Sequence, residues 1–268
     1  MSDPFAPIKT DQATKSNRLQ PQKAIVMPVP DEAPEPPAFH PKLGVPSQRW
    51  TYRDAVSEVL GYVYRFDEAE AGKSYRPLCL FQVAGQLKWR WETWSLPRPL
   101  YGLDLLSKTS DMPVVIVEGE KAADAVKQLL LRHVCISSPG GSNAAKKADW
   151  SVLQGREVAI WPDADEAGLK FADDVAGCLE KVGAASVRFL DPPDDVSNGW
   201  DAADALADGW TPEQAEAFVL SSQVEDAEEL EVKPRARGVS LLSVAQDLEL
   251  WHSPQKRRLW HYVGEWSL

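Results

Sequence analysis

The sequence predicts an α/β fold: a parallel sheet flanked by helices, preceded by a small aromatic-rich α+β subdomain built on an antiparallel sheet. Three observations predict it. Val114-Val115-Ile116-Val117 and Val158-Ala159-Ile160-Trp161 are short, continuous apolar runs, the form taken by strands buried on both faces. Each run is followed by a helical pattern, and helices supply the crossovers that parallel strands require. Ahead of both, Tyr62-Val63-Tyr64-Arg65-Phe66 and Lys88-Trp89-Arg90-Trp91-Glu92 alternate with period two, as half-buried antiparallel strands do.

The chain begins with a polar, proline-rich stretch, residues 1–46, that includes Pro28-Val29-Pro30 and Pro34-Glu35-Pro36-Pro37. It has no helical or alternating period and too little apolar surface to offset the entropy of ordering, so it is expected to be a disordered arm. Residues 47–110 form the aromatic and basic subdomain, with a helix expected over residues 52–60 and a turn at Ala84-Gly85. Alternation places Trp89 and Trp91 on one face and Lys88 and Arg90 on the other, with Arg65, Lys73 and Arg76 nearby. Basic residues interleaved with aromatics suit a platform for single-stranded nucleic acid, where bases stack on rings and cations follow phosphates. Arg76 and Arg90 are the candidate contacts to template or nucleotide. The alternative is that most of these rings are core.

The main domain is expected over residues 111–221. Its first strand, 114–117, runs into Glu118-Gly119, and a helix follows with Ala122, Ala123, Val126, Leu129 and Leu130 on one face. Val134-Cys135-Ile136-Ser137 reads as the next strand. The Pro139-Gly140-Gly141-Ser142-Asn143 turn after it either brings the backbone N–H groups of Gly140 and Gly141 close to a phosphate or is a plain turn. The strand at 158–161 empties into Asp163-Ala164-Asp165, and an amphipathic helix through Phe171, Val175, Cys178, Leu179 and Val182 is stopped by Gly183. A strand over residues 186–190 leads to a third acidic group that contains Asp201 and Asp204, three apart and able to share a helical face. A helix over 212–220, an acidic linker over 222–238, and a C-terminal helix with a hairpin-like run over 239–268, the possible start of a further module, complete the chain.

Ligands of open α/β sheets collect outside the carboxyl ends of the strands. Acids brought together there raise one another's pKa values and favour a divalent cation with oxygen ligands, Mg2+ or Mn2+. The net charge of −11 divides as 0 over residues 1–46, +2 over 47–110, −9 over 111–210 and −4 over 211–268. The basic excess therefore lies just before the acidic region, and strong electrostatic steering of nucleic acid by the whole molecule is not expected. Cys79, Cys135 and Cys178 are odd in number and far apart, which argues against a disulfide framework and a zinc ribbon and reads as core thiols. No apolar run suits a membrane span or signal peptide, so a soluble, cytoplasmic protein is expected. The phosphate-loop motif of ATPase motors is missing from the sequence.

Glu118-Gly119-Glu120-Lys121, Pro139-Gly140-Gly141 and Pro162-Asp163-Ala164-Asp165-Glu166-Ala167-Gly168, in this order at strand ends, resemble the Toprim domain of bacterial-type primases, topoisomerases and some nucleases. The resemblance covers about residues 111–210. It is closer to the primase-like Toprim proteins of phages, plasmids and other mobile elements, which also carry an aromatic, arginine-containing sheet segment ahead of this domain. The resemblance implies Glu118 as general acid/base, Asp163 and Asp165 as ligands of Mg2+ (or Mn2+) with Asp201 and Asp204 adding to the shell, and Lys121 steadying a phosphate. For Asp201 and Asp204 the alternative is a helix start enriched in Asp; for Lys121 it is a surface residue without a role. Chromosomal primases place an acid where this chain has Ala122, and Glu120 or Asp124 would have to substitute.

What the resemblance implies is metal-dependent nucleotidyl transfer on a single-stranded DNA template. Nucleoside triphosphates would be the substrates, and a replicative helicase a partner. Two other readings stay open: a Toprim-type metal-dependent nuclease, and a non-catalytic module that binds single strands and a helicase. A topoisomerase is unsupported, because the chain lacks room for strand-gate domains.

Overall fold

The computed structural model describes residues 23–68 and 72–228, with side chains up to residue 221. It is a mixed α/β structure with an antiparallel sheet and a separate four-stranded parallel sheet flanked by helices.

The antiparallel sheet contains β1 (Lys23–Ile25), β2 (Gln48–Arg53), β3 (Val59–Glu68), β4 (Gly72–Val83) and β5 (Gln86–Arg90). The long β4 pairs with β1, β3 and β5, and β3 pairs with β2. Ala84 and Gly85, both at positive φ (51° and 80°), close the β4–β5 hairpin with the backbone twist that two-residue hairpins favour.

Residues 52–60 are not a helix. Trp50 and Tyr52 alternate inward along β2, and the Asp54 carboxylate then accepts from the backbone N–H groups of Val56 (2.9 Å) and Glu58 (2.8 Å). A side chain that takes backbone donors in this way offers the chain a turn in place of a helix. Residues 23–46 also depart from the disorder expected of them. Lys23–Ile25 adds a strand to β4, and Val26 N–H donates to the Leu80 carbonyl at 2.8 Å. Residues 1–22 lie outside the described residues.

The register fixes the faces of the sheet. Arg49, Tyr64 and Arg76 stand in one cross-strand row, and Leu80 opposite Trp89 puts the tryptophan on that same side. The chain covers this side itself. Trp89 Nε1 donates to the Pro34 carbonyl at 2.6 Å, and the His40 ring meets Phe66 and Trp91 at 5.7 and 4.8 Å between centroids. Trp89 and Trp91 therefore pack under the proline-rich segment and do not form the open platform expected of them.

In the parallel sheet, β6 (Val114–Val117), β7 (Val134–Ser137), β8 (Glu157–Trp161) and β9 (Ser186–Phe189) run in the order β7-β6-β8-β9. The helices are α1 (Leu103–Leu106), α2 (Glu120–Leu129), α3 (Glu166–Val182), α4 (Ala202–Ala207) and α5 (Pro212–Glu228). Alternate residues of each strand feed opposite cores: Val115, Val117, Ala159 and Trp161 pack with residues of α2, α4 and α5, while Val114, Ile116, Val158 and Ile160 pack with Phe171, Val175 and Leu179 of α3. All four residues of β6 are buried, which explains its unbroken apolar run. The chain leaves β6 for β7 on one side and returns to β8 on the other, so strand order reverses between β6 and β8. Such a switch point is where open α/β sheets bind ligands.

Helix α5 continues to Glu228, past residue 222, where a linker was expected. The remainder of that linker and the elements expected over 239–268 lie outside the described residues. Cys79, Cys135 and Cys178 are free thiols, the first two buried. Among the described residues no helix is long and apolar enough to cross a membrane.

The two sheets meet through α2. Tyr52 Oη donates to Glu120 Oε1 at 2.7 Å in a buried contact, while Trp50 Nε1 and Tyr101 Oη each donate to Asp124 at 2.8 Å. Lys127 Nζ adds a third donor to Asp124 at 2.9 Å. Burial pushes the Glu120 carboxyl above its usual range, and the Tyr52 bond opposes that shift. Glu120 and Asp124 thus hold the joint, with their hydrogen bonds directed to the antiparallel sheet, Tyr101 and Lys127. Tyr52→Phe leaves a buried carboxyl without its donor and should destabilise the chain by about 1–3 kcal/mol in urea unfolding. Unchanged stability would mean that the joint does not rest on this bond.

Candidate functional site

The switch point carries acids from three segments. Glu118 follows β6 directly, and its Oε1 accepts from Ser142 N–H at 3.0 Å. The donor is set by the glycine turn after β7. Gly140 has φ 104°, and a Cβ there would lie 2.9 Å from the Ala144 Cβ and 3.1 Å from Arg98 Nη1; Gly141 has φ 67°. The turn therefore positions Glu118 from the side, and the N–H of Ser142 is engaged by that carboxylate.

Asp163 and Asp165 follow β8. Asp165 is the N-cap of α3, with Oδ1 accepting from Gly168 N–H at 2.7 Å. Gly168 packs against the backbone of Asp163 so closely that a Cβ would come within 2.2 Å of the Asp163 carbonyl oxygen. This contact explains why the acidic turn ends in glycine.

The third segment is tied to the second by paired backbone bonds, Ala164 N–H to Trp200 O at 2.8 Å and Gly199 N–H to Ala164 O at 3.0 Å. Asp201, next in sequence, caps α4: its Oδ1 accepts from Ala203 N–H (2.7 Å) and Asp204 N–H (2.9 Å), and Asp204 Oδ2 accepts from Asp201 N–H (3.2 Å). The helix-start alternative for this pair is thus realised as a reciprocal capping box. Lys121 Nζ stands 4.0 Å from Asp204 Oδ1 and links the starts of α2 and α4.

Electrostatics show how closely the acids are gathered. Asp163 is pushed up to about 8, first by burial and then by the charges of Glu118, Asp201, Asp165 and Asp204. Burial also raises Glu118, assisted by Asp165 and Asp201 and opposed by the Ser142 N–H. The charges of the other four acids thus converge on Asp163, and two of them also act on Glu118. Arg76 and Arg90 are not among the charges acting on Glu118 or Asp163; Arg90 pairs with Glu92, and Arg76 sits in the row with Arg49 and Tyr64.

All the donors in this group are hard oxygens, the ligand type of magnesium and manganese. Asp165 and Asp201 each use one oxygen to cap a helix, Asp204 uses one in the capping box and has the other 4.0 Å from Lys121 Nζ, and Glu118 is held by the backbone N–H and the side chain of Ser142. The donor chemistry therefore fits a divalent cation. The spacing does not enclose one: among the described residues, no three Asp, Glu, His or Cys side chains stand close enough to hold a metal ion together.

Arg98 is a site-adjacent residue that sequence reading missed. Its backbone is tied to the segment beyond the glycine turn, N–H to Lys147 O at 2.7 Å and carbonyl to Asp149 N–H at 2.8 Å, and Nη1 donates to the Pro139 carbonyl at 3.3 Å. In sequence it is one arginine between two prolines, and only the fold brings it under the turn.

A family model described as a domain of unknown function (DUF6371) matches residues 61–164, less than half of the chain. No curated protein resembles the chain closely enough to count as a match. Among solved structures it is similar to the zinc-binding and RNA polymerase domains of the Aquifex aeolicus primase, with 17% identity and a TM-score of 0.45 over 67% of this chain and 42% of that one. It is also similar to a DNA primase domain from Pseudomonas aeruginosa (18% identity, TM-score 0.42, 70% of this chain and 56% of that one). A third likeness is to a DnaG catalytic core (20% identity, TM-score 0.42, 65% and 52%). The chain spans about half the length of these structures.

The folded chain holds the Asp163 proton up to about pH 8, whereas the unfolded chain releases it near about pH 4, so wild type loses stability as pH rises through that window. Asp163→Asn removes the loss. In metal-free buffer its melting temperature should match wild type near the lower limit and exceed it most above the upper one; a gap independent of pH would contradict the crowding. Gly168→Ala should cost about 1–3 kcal/mol, because backbone must move to admit the methyl group. Gly177→Ala, on the same helix with nothing within 4 Å of the added Cβ, should gain about 0.5–1 kcal/mol.

Proposed function

We propose that this chain is a Toprim-type, primase-like enzyme of a phage, plasmid or other mobile element, which joins nucleotides on a single-stranded DNA template in the cytoplasm. The observation that carries the reading is the gathering of Glu118, Asp163, Asp165, Asp201 and Asp204 at the switch point of a parallel sheet, with Asp163 pushed up to about 8. The ordered Glu-Gly-Glu-Lys, Pro-Gly-Gly and Asp-x-Asp motifs supply these residues.

In the proposed reaction the hydroxyl of one nucleotide attacks the α-phosphorus of a nucleoside triphosphate. A new P–O bond forms, the bond to the β-phosphate oxygen breaks, and pyrophosphate leaves. Glu118 is suited to take the proton of the attacking hydroxyl, because burial raises its pKa toward neutrality, where a general base works best. The Ser142 N–H fixes one of its oxygens. Asp163, Asp165, Asp201 and Asp204 would hold Mg2+ (or Mn2+) by drawing closer than they stand here, and the ion would supply neutralisation of charge on the phosphates. Lys121, at the mouth of the acidic group, would steady a phosphate, and Gly140 and Gly141 let the backbone approach one closely. Arg76 and Arg90, on the antiparallel sheet, remain proposed contacts for the template strand, and a replicative helicase a proposed partner.

The test is primer synthesis by the full chain on single-stranded DNA with nucleoside triphosphates and Mg2+ or Mn2+. Wild type should make labelled products. Glu118→Gln and Asp163→Asn should lose activity by about a hundredfold or more while remaining folded, with melting temperatures no lower than wild type. Cleavage of a labelled strand in place of synthesis would move the site to the nuclease reading, and neither activity under any metal would overturn both.

A further inference from the structure

The face of the antiparallel sheet that carries Trp50 and Tyr52 toward α2 also carries an aromatic side chain that the joint does not use. Tyr75 of β4 lies opposite Arg65 of β3, and its ring stacks on Trp50 with centroids 6.2 Å apart and planes 26° apart. Trp50 is buried and pinned to Asp124, so the surface beneath Tyr75 is rigid. Tyr75 itself is 43% exposed; among the described residues only Phe39 is an aromatic side chain left comparably open. Burial raises the pKa of its hydroxyl, Arg65 opposes the rise, and the charges of Glu120, Asp67 and Asp201 add to it, so Tyr75 lies within electrostatic range of the acids at the starts of α2 and α4. Arg65 stands opposite Tyr75 and is paired with Asp67 at 2.8 Å, and the exposed Lys73 stands opposite Asp67 on the same face of the sheet.

An open ring on a fixed aromatic base, bordered by cations, is what stacking of an unpaired base requires. Such stacking is tolerant of sequence and needs no hydrogen bond. We propose that Tyr75, backed by Trp50, is the shelf on which a base of the single-stranded DNA template stacks as the strand approaches the carboxylate group, with Lys73 following its phosphates. The assignment rests on the template-directed reading of the carboxylate site and adds the residue that positions the strand. Its role is positioning; the chemistry belongs to the carboxylate group.

The experiment measures binding alone, as fluorescence anisotropy of labelled oligodeoxythymidylate with the full chain in metal-free buffer at fixed salt. Tyr75→Ala should weaken binding by about tenfold, while Tyr75→Phe and Tyr75→Trp stay within about twofold of wild type. The salt dependence should be unchanged in Tyr75→Ala and shallower in Lys73→Ala, which removes a phosphate contact. Should Tyr75→Ala melt early, Tyr75→Leu replaces it, since an apolar but non-aromatic side chain should also weaken binding. Wild-type affinity in Tyr75→Ala, or equal losses in the Ala and Phe variants, overturns the proposal. Because neither metal nor nucleotide is present, a chain that binds DNA through Tyr75 yet makes no primer sinks the synthetic reading alone. A chain that makes primers with affinity indifferent to Tyr75 sinks only the shelf.

Discussion

Like charges crowded at the end of a buried strand set the terms for the rest of this structure. Asp163 sits within reach of four other carboxylates in a partly dry pocket, and its pKa is raised to about 8 as a result. Something must hold these groups together against their repulsion. A single N-cap contributes only about 1 kcal/mol, so the caps on α3 and α4 are not sufficient by themselves. Each fully buried Val, Ile or Phe of the parallel sheet and its helices contributes roughly 1.5–3 kcal/mol, and β6 alone buries all four of its side chains. The apolar layers on both sides of the sheet supply the stability, and the caps, the Gly168 contact and the Ala164–Trp200 pairing direct it to one spot.

Helix α2 shows how one short segment serves both sheets. Glu118 precedes it and faces the acidic group; Glu120 and Asp124, one turn apart on the helix, face the antiparallel sheet. A shift of α2 that loosened the Tyr52–Glu120 bond would also move the start of the helix beside Glu118. The joint between the sheets and the geometry of the candidate site are therefore linked through a single rigid element, although their side chains do not touch.

Much of the parallel half was legible in the sequence, because its signals are local. Unbroken apolar runs gave the strands, three- and four-residue spacing gave α2 and α3, and Gly183 adopts the left-handed conformation that ends α3. The order of the strands is not local: the sequence placed acids at the ends of two buried strands, and only the fold makes those strands neighbours on either side of the switch point. The antiparallel half was read less well. Residues 52–60 carry a spacing compatible with a helix, and the competing signal was one side chain, Asp54, whose bonds to Val56 and Glu58 are invisible to periodicity. The alternation that put Trp89 and Trp91 on one face was sound, yet their cover comes from Pro34 and His40, far away in sequence. Tyr75 and Arg98 matter through neighbours that only folding supplies.

The capping of α3 and α4 by Asp165 and Asp201 bears on how such a site stays ordered. A carboxylate has two oxygens, and helix N-termini present N–H groups with partial positive charge. When one oxygen accepts from the helix start, the side chain is pinned in place and part of its charge is offset before any cation arrives. The same residue then serves two ends, because the cap takes up only one of its two oxygens. Asp163 caps no helix, receives no such offset, and is the carboxyl on which the repulsion of the others converges. That asymmetry follows from where two helices begin, and it makes Asp163 the most sensitive reporter of charge in the cleft.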